Sequence, residues 1–248
     1  MSRALIVIDV QESFRQQPVW AAISNPGIVE KVRRLVAAAR TDGDLVVWVL
    51  HAEPGSGTVF DPASGYVRFM EGLVPQAGEP VITKTSHNAF TTTNLQQLLT
   101  TRAIGDLVIC GIRTEQCCET TARVAADLGY EVSFVIDATA TSPIAHRDAP
   151  DGRPVVEILA DPRTLSTEDV LARTEYALAG RFATICTVAE LAEPAGSAAP
   201  AGSAAPAGSA APAGSAAPAG SAAPAGSAAP AAAVIAASAA PGAAVPAG

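Results

Sequence analysis

Six short runs of this chain read as strands, at residues 4–9, 45–50, Val81–Lys84, 107–110, 132–137 and 183–188, and the first, second and fourth are apolar at consecutive positions rather than at alternate ones. A strand that is hydrophobic on both faces must be covered on both, which is the condition of a parallel sheet. The segments between the runs carry helical spacing. Residues 26–40 place Ile28, Val32, Leu35, Val36 and Ala39 on one side, with Asn25 as N-cap and Pro26 at the first position. Residues 93–101 turn Leu95, Leu98 and Leu99 inward, and a helix capped by Thr114 runs to Leu128 and stops at Gly129. Residues 166–179 open with a Ser-x-x-Asp cap pattern and end at Gly180. Strand alternating with helix predicts an α/β class: a doubly wound, mostly parallel sheet with helices on both faces, a Rossmann-like three-layer arrangement. Residues 53–78 and 142–162, rich in Gly and Pro, read as long surface loops.

The last part of the chain is a different material. Residues 194–248 contain no charged side chain, and Pro-Ala-Gly-Ser-Ala-Ala repeats from Pro194 to Pro230. Proline every six residues blocks any helix longer than a turn, and nothing large is available to bury. A β-helix with that period needs a bulky aliphatic residue in each rung, and none is present. A disordered, low-complexity tail over 194–248 is therefore expected behind one domain over 1–193. All 16 Lys and Arg and all 24 Asp and Glu precede the tail, so the net charge of −8 belongs to the domain. A mildly acidic domain without a basic run argues against nucleic acid or an anionic membrane surface as partner. No run is long enough to span a bilayer, and residues 4–10 are too short, with Asp9 among them, for a signal peptide. Cys110 and Cys186 sit in apolar strand patterns while Cys117 and Cys118 adjoin, which is not a disulfide framework. Reduced thiols and a cytoplasmic location are expected.

In a doubly wound sheet, ligands collect at the carboxyl ends of the strands. Asp9 follows the first strand, Lys84 ends the third, and Cys117 comes just past the fourth, in the first turn of the expected helix. That position predicts a lowered thiol pKa, because unpaired N–H groups and the helix dipole favour an anion. An acid, a cation and a thiol on one edge are what nucleophilic acyl chemistry needs. The thiol attacks a carbonyl carbon, the carboxylate takes and returns the proton, and the ammonium favours the thiolate. Backbone N–H groups of Arg113 and Cys117 are candidates for an oxyanion hole. No metal or cofactor is required, and a small molecule is the expected partner. Taken singly, each residue has a plainer reading: Asp9 as a helix cap, Lys84 as a solvated side chain, Cys117 as a small buried hydrophobe.

Four local patterns in order change that balance: VIDVQESF (7–14), ITKTSHNAF (82–90), CGIRTEQCCETTARVAADLGY (110–130) and VIDATAT (135–141). The sequence over about residues 2–192 resembles the isochorismatase-like cysteine hydrolases, which include nicotinamidases and N-carbamoylsarcosine amidohydrolases. The resemblance puts Asp9, Lys84 and Cys117 at the triad positions and implies a non-proline cis peptide bond at Ile112–Arg113. It also implies frequent self-association into homo-oligomers. Phe14, Trp20, His51, His87 and Phe90 are candidates for the substrate pocket. Arg113 has two readings, a contact to a substrate carboxylate or an ion pair with Glu115 or Glu119.

Departures from the family pattern narrow the chemistry. Cys118 stands where Val is usual; on a helix its side chain diverges from Cys117 by about 100°, so it reads as a core residue. His51-Ala52-Glu53 replaces the Asp-x-His of the metal-binding nicotinamidase branch, which disfavours a metal. Retention of Cys117 departs from the isochorismatase branch, where vinyl-ether hydrolysis needs no thiol. The expectation is a metal-independent amidohydrolase acting on a C–N bond, amide or carbamoyl, through a thioester. An enol-ether hydrolase of isochorismatase type and a catalytically silent binding or assembly module are the alternatives.

Overall fold

The structure, a computed structural model, describes residues 2–150 and 152–192. The expected domain boundary after residue 193 and the repeat tail, 194–248, lie outside the described residues. Six strands form one sheet: β1 (Ser2–Ile8), β2 (Leu45–His51), β3 (Val81–Lys84), β4 (Ile104–Ile112), β5 (Glu131–Ala140) and β6 (Thr184–Cys186). Their order is β3-β2-β1-β4-β5-β6 and every pairing is parallel. The direction of winding reverses between β1 and β4, which opens a crevice above their carboxyl ends.

Alternate residues of each central strand feed two cores, as the two-sided apolar runs require. Leu5, Val7, Val108 and Cys110 pack with α2 (Ile28–Asp42) and α7 (Val188–Ala192). Ala4, Ile6, Ile8, Leu107 and Ile109 pack on the other face with α3 (Leu95–Thr101), α4 (Glu119–Asp127) and α6 (Thr167–Leu178). Cys118, with no exposure, belongs to this second core. All four cysteines are free thiols. The Ser166–Asp169 capping box opens α6 as its sequence predicts. Short helices α1 (Glu12–Arg15) and α5 (Val155–Ala160) lie in segments without a readable period. Among the described residues, no helix is long and apolar enough to cross a membrane.

At three places the chain departs from its local pattern because a side chain has a stronger partner. Asn25 does not cap α2; its amide donates to the carbonyls of Asp137 (2.9 Å) and Thr139 (3.2 Å), and Gly27 takes the cap position. Those carbonyls are free because β5 bulges. Ile109 of β4 faces Phe134, yet Gly111, two residues on, faces Thr139. The last strand stops at Cys186, since Asp137 Oδ1 accepts the Val188 N–H at 2.8 Å and starts α7 there. Thr114 does not cap a helix either, a correction taken up below.

Gly111 fixes the crevice. Its φ of +134° is open only to glycine, and a Cβ there would lie 1.9 Å from the Ile8 carbonyl oxygen. The ends of β1 and β4 can approach this closely only because position 111 lacks a side chain.

Candidate active site

The three side chains singled out at strand ends come together. Asp9 has φ +52°, in the left-handed region that few non-glycine residues adopt, and this turns the chain sharply as it leaves β1. Lys84, the last residue of β3, reaches inward: its Nζ lies 2.7 Å from Asp9 Oδ2 and 3.3 Å from Cys117 Sγ. Asp9 and Lys84 have no exposure, and Cys117 has 6 %. The ammonium also faces the Ser86 carbonyl at 3.2 Å and His51 Nδ1 at 3.5 Å. It therefore has four candidate acceptors for three protons. Among the described residues, the Asp9 carboxylate has this ammonium as its ion-pair partner and no other hydrogen-bond donor.

Burial and charge set the protonation states. Burial raises the Asp9 carboxyl against the opposing pull of Lys84. Burial works to lower the Lys84 ammonium, but the charges of Asp9 and Cys117 outweigh it and hold it above its ordinary value. The thiol of Cys117 is pushed up to about 12, first by burial and then by the Asp9 carboxylate, with Lys84 opposing. The expectation of a lowered thiol pKa is thus overturned. Two physical reasons apply: the sulfur is almost out of water, and it does not stand at the start of an α-helix.

Residues Thr114–Cys118 form a π-turn, with Cys118 N–H bonded to Arg113 O five residues back at 3.1 Å, and α4 begins only at Glu119. The Thr114 hydroxyl donates to Thr139 Oγ1 at 2.9 Å, which removes it from capping. The wide turn is tied down from two sides. Thr121 Oγ1 donates to the Cys117 carbonyl at 2.6 Å and accepts the Ala89 N–H at 3.1 Å, linking the cysteine turn to the loop after Lys84. The Ile112–Arg113 peptide bond is cis.

The remaining candidates separate. His51 sits beside Lys84, and burial followed by the Lys84 charge lowers its pKa, so the ring is neutral; its Nε2 lies 3.4 Å from Glu53 Oε1. Phe14 is buried, edge-on to Phe60 at 5.0 Å, with the Arg113 guanidinium 5.9 Å from its ring centre. His87 is exposed. Phe90 stacks on Tyr130 at 5.9 Å and belongs to the second core. Trp20 is half-buried beneath Arg15. Among the described residues, no three His, Cys, Asp or Glu side chains group as metal ligands.

Two glutamines carry site geometry that sequence reasoning left without a role. Gln11, fully buried, accepts the His51 N–H at 2.8 Å and donates to the His51 carbonyl at 3.0 Å, pinning the end of β2 to the turn after β1. Gln17 Oε1 accepts from the Arg113 guanidinium at 2.9 Å. The signal for Gln11 is its place in the VIDVQESF stretch; Gln17 has none.

An acid, an ammonium and a thiol thus meet at the switch point of an α/β sheet, and comparison with known proteins gives the class as hydrolase. The Isochorismatase domain family matches residues 3–150. The isochorismatase family protein YrdC of Bacillus subtilis is 31 % identical over 56 % of this chain and 73 % of its own. The streptothricin hydrolase of Streptomyces noursei is 34 % identical over 56 % of this chain, which spans half of that relative's length. The crystal structure of an isochorismatase from Pseudomonas putida superposes with a TM-score of 0.66 at 30 % identity, covering 76 % of this chain and 89 % of that one. The chain belongs to the isochorismatase family of hydrolases.

Proposed function

We propose that this chain is a cysteine-dependent amidohydrolase, cleaving a C–N bond in a small amide or carbamoyl compound through a thioester on Cys117. The carrying observation is the buried Asp9 carboxylate, 2.7 Å from a Lys84 ammonium that itself lies 3.3 Å from Cys117 Sγ. A thiol held near 12 is not a standing thiolate at neutral pH. Attack therefore requires its proton to pass to Asp9 as the sulfur closes on the carbonyl carbon. The raised Asp9 carboxyl is suited to hold that proton.

The developing oxyanion takes N–H bonds from Arg113 and Cys117. The protonated Asp9 then gives its proton to the leaving nitrogen, the C–N bond breaks, and ammonia or an amine departs from a thioester. Water attacks the thioester, Asp9 accepts its proton, and the C–S bond breaks with return of that proton to sulfur. Lys84 stays an ammonium throughout; while Asp9 is neutral, Ser86 O and His51 Nδ1 still hold it. A buried thiol beside an Asp–Lys pair favours this chemistry over vinyl-ether hydrolysis, in which water is the nucleophile and no thiol is needed.

The test is ammonia release from a panel of primary amides, ureido acids and carbamoyl compounds, with Cys117→Ala as control. Release that vanishes in the control is the expected result. Turnover that survives Cys117→Ala sinks the thioester route.

A further inference from the structure

Cys117 belongs to a closed circuit of contacts. Lys84 meets His51 (3.5 Å), His51 lies edge-on to Phe60 (5.7 Å), Phe60 to Phe14 (5.0 Å), and Phe14 lies under the Arg113 guanidinium (5.9 Å). The chain from Arg113 then leads in one turn back to Cys117, 3.3 Å from Lys84. The circuit thus joins the thiol to two apolar rings, Phe14 and Phe60, and to the Arg113 guanidinium.

Arg113 is half-buried and has no carboxylate within ion-pair distance among the described residues. Glu119, one of the two expected partners, is taken by Arg123 and Arg173. Glu115, the other, accepts the Thr141 hydroxyl at 2.6 Å, and its second oxygen is buried without any hydrogen-bond partner. The guanidinium instead donates to a neutral amide, Gln17 Oε1. A planar fork of five donors, partly desolvated and served by one neutral acceptor, is incomplete. Burial lowers its pKa further than Glu115 restores, in keeping with a charge whose partner is missing.

We infer that Arg113 selects the substrate: a small amide or ureido compound bearing a carboxylate, which the guanidinium receives while the reacting carbonyl lies over Cys117. Planar bidentate pairing is the match a carboxylate offers to arginine. Gln17 is a positioning residue that aims the fork. The inference rests on the amidohydrolase reading and names its substrate class.

The experiment compares kcat/KM for matched compounds, succinamate against butyramide and N-carbamoylglycine against its methyl ester, in the wild type, Arg113→Gln and Gln17→Leu. Reading the ratio within each protein cancels any general loss of activity. The wild type is expected to favour the anionic member by at least about tenfold, the worth of a charge-assisted hydrogen bond, mainly through KM. Arg113→Gln should abolish the preference, and Gln17→Leu should weaken it. A wild-type ratio near one, or a preference kept in Arg113→Gln, overturns the assignment. If no compound is hydrolysed, the amidohydrolase reading fails separately, and binding decides the role of Arg113. Succinate should then raise the melting temperature of the Cys117→Ala protein but not of the Cys117→Ala, Arg113→Gln protein. Equal shifts in the two, or none in either, would reject the carboxylate site.

Discussion

The Lys84 ammonium stands 2.7 Å from the Asp9 carboxylate, and neither side chain has any exposure. Two charges that deep tolerate each other, but neither tolerates isolation. Removing one partner of such a pair costs about 3–5 kcal/mol. In Lys84→Met the surviving Asp9 can escape by binding a proton, which raises its folded pKa beyond the already raised wild-type position. A raised folded pKa means that stability is kept below the unfolded value and lost as pH rises through the folded one. The loss should therefore be small at pH 4 and reach about 3–5 kcal/mol at pH 8. The double variant Asp9→Asn, Lys84→Met should recover part of it. Urea unfolding at the two pH values checks this; a loss equal at both would mean Asp9 is not the group left stranded.

The same three side chains make opposite predictions for thiol titration and for catalysis. The Asp9 charge raises the Cys117 thiol and the Lys84 charge lowers it, on top of the larger effect of burial. Asp9→Asn should bring the thiol below its wild-type value of about 12, while Lys84→Met should push it higher. Iodoacetamide at pH 9, with labelling read by peptide mass, should then modify Cys117 faster than wild type in Asp9→Asn and slower in Lys84→Met. Hydrolysis should collapse in both, because the first lacks the proton acceptor and the second the ammonium paired to it. If labelling of Asp9→Asn were no faster, the direction assigned to Asp9 would be wrong.

What could be read in the residues and what could not follows physical lines. Consecutive apolar runs imply covering on both faces, so the parallel sheet and its two cores were legible, as was the convergence of Asp9, Lys84 and Cys117 at strand ends. Competition between partners was not. Asn25 and Thr114 have ordinary cap signatures, yet a bulge in β5 offers them carbonyl and hydroxyl partners more than twenty residues away. The thiol pKa was misjudged for a related reason. Sequence places Cys117 near a helix start but does not reveal burial, and here burial, with the Asp9 carboxylate, raises the thiol. The rim of Phe14, Phe60 and Gln17 around Arg113 depends on where a loop of 53–78 folds back, and that loop has no period to read.

Glu79 fastens that loop, and its titration should appear in the acid limb of stability. Burial would raise the carboxyl. The Arg40 fork (2.7 and 2.9 Å), the Gln76 N–H (2.8 Å) and the Trp48 indole (2.8 Å) outweigh it and bring the pKa to about 2. A depressed carboxylate contributes stability above its unfolded value of 4.5 that disappears as pH falls toward 2. Allowing for solvent screening, the contribution is roughly 2 kcal/mol. Glu79→Gln should lower unfolding free energy by that order at pH 6 and by much less at pH 3. A variant whose deficit stays constant over that range would show that the ion pair adds nothing that titrates.

Gly111 is where the sheet's closest approach and the cysteine turn depend on one missing atom. Alanine there meets two obstacles at once: a φ of +134° that L side chains avoid, and a Cβ placed 1.9 Å from the Ile8 carbonyl oxygen. Relief requires β1 and β4 to separate at their carboxyl ends, which moves Asp9, the residue after Ile8, away from Cys117. Gly111→Ala should therefore cost at least about 3 kcal/mol, in the range of severe backbone and packing lesions. If any folded protein is recovered, it should lose hydrolysis far out of proportion to its lost stability. Urea unfolding read beside kcat on the same sample makes the comparison. A variant with near-normal kcat in its folded fraction would mean that the crevice keeps its geometry without glycine, and that the spacing of β1 and β4 is not what aligns the site.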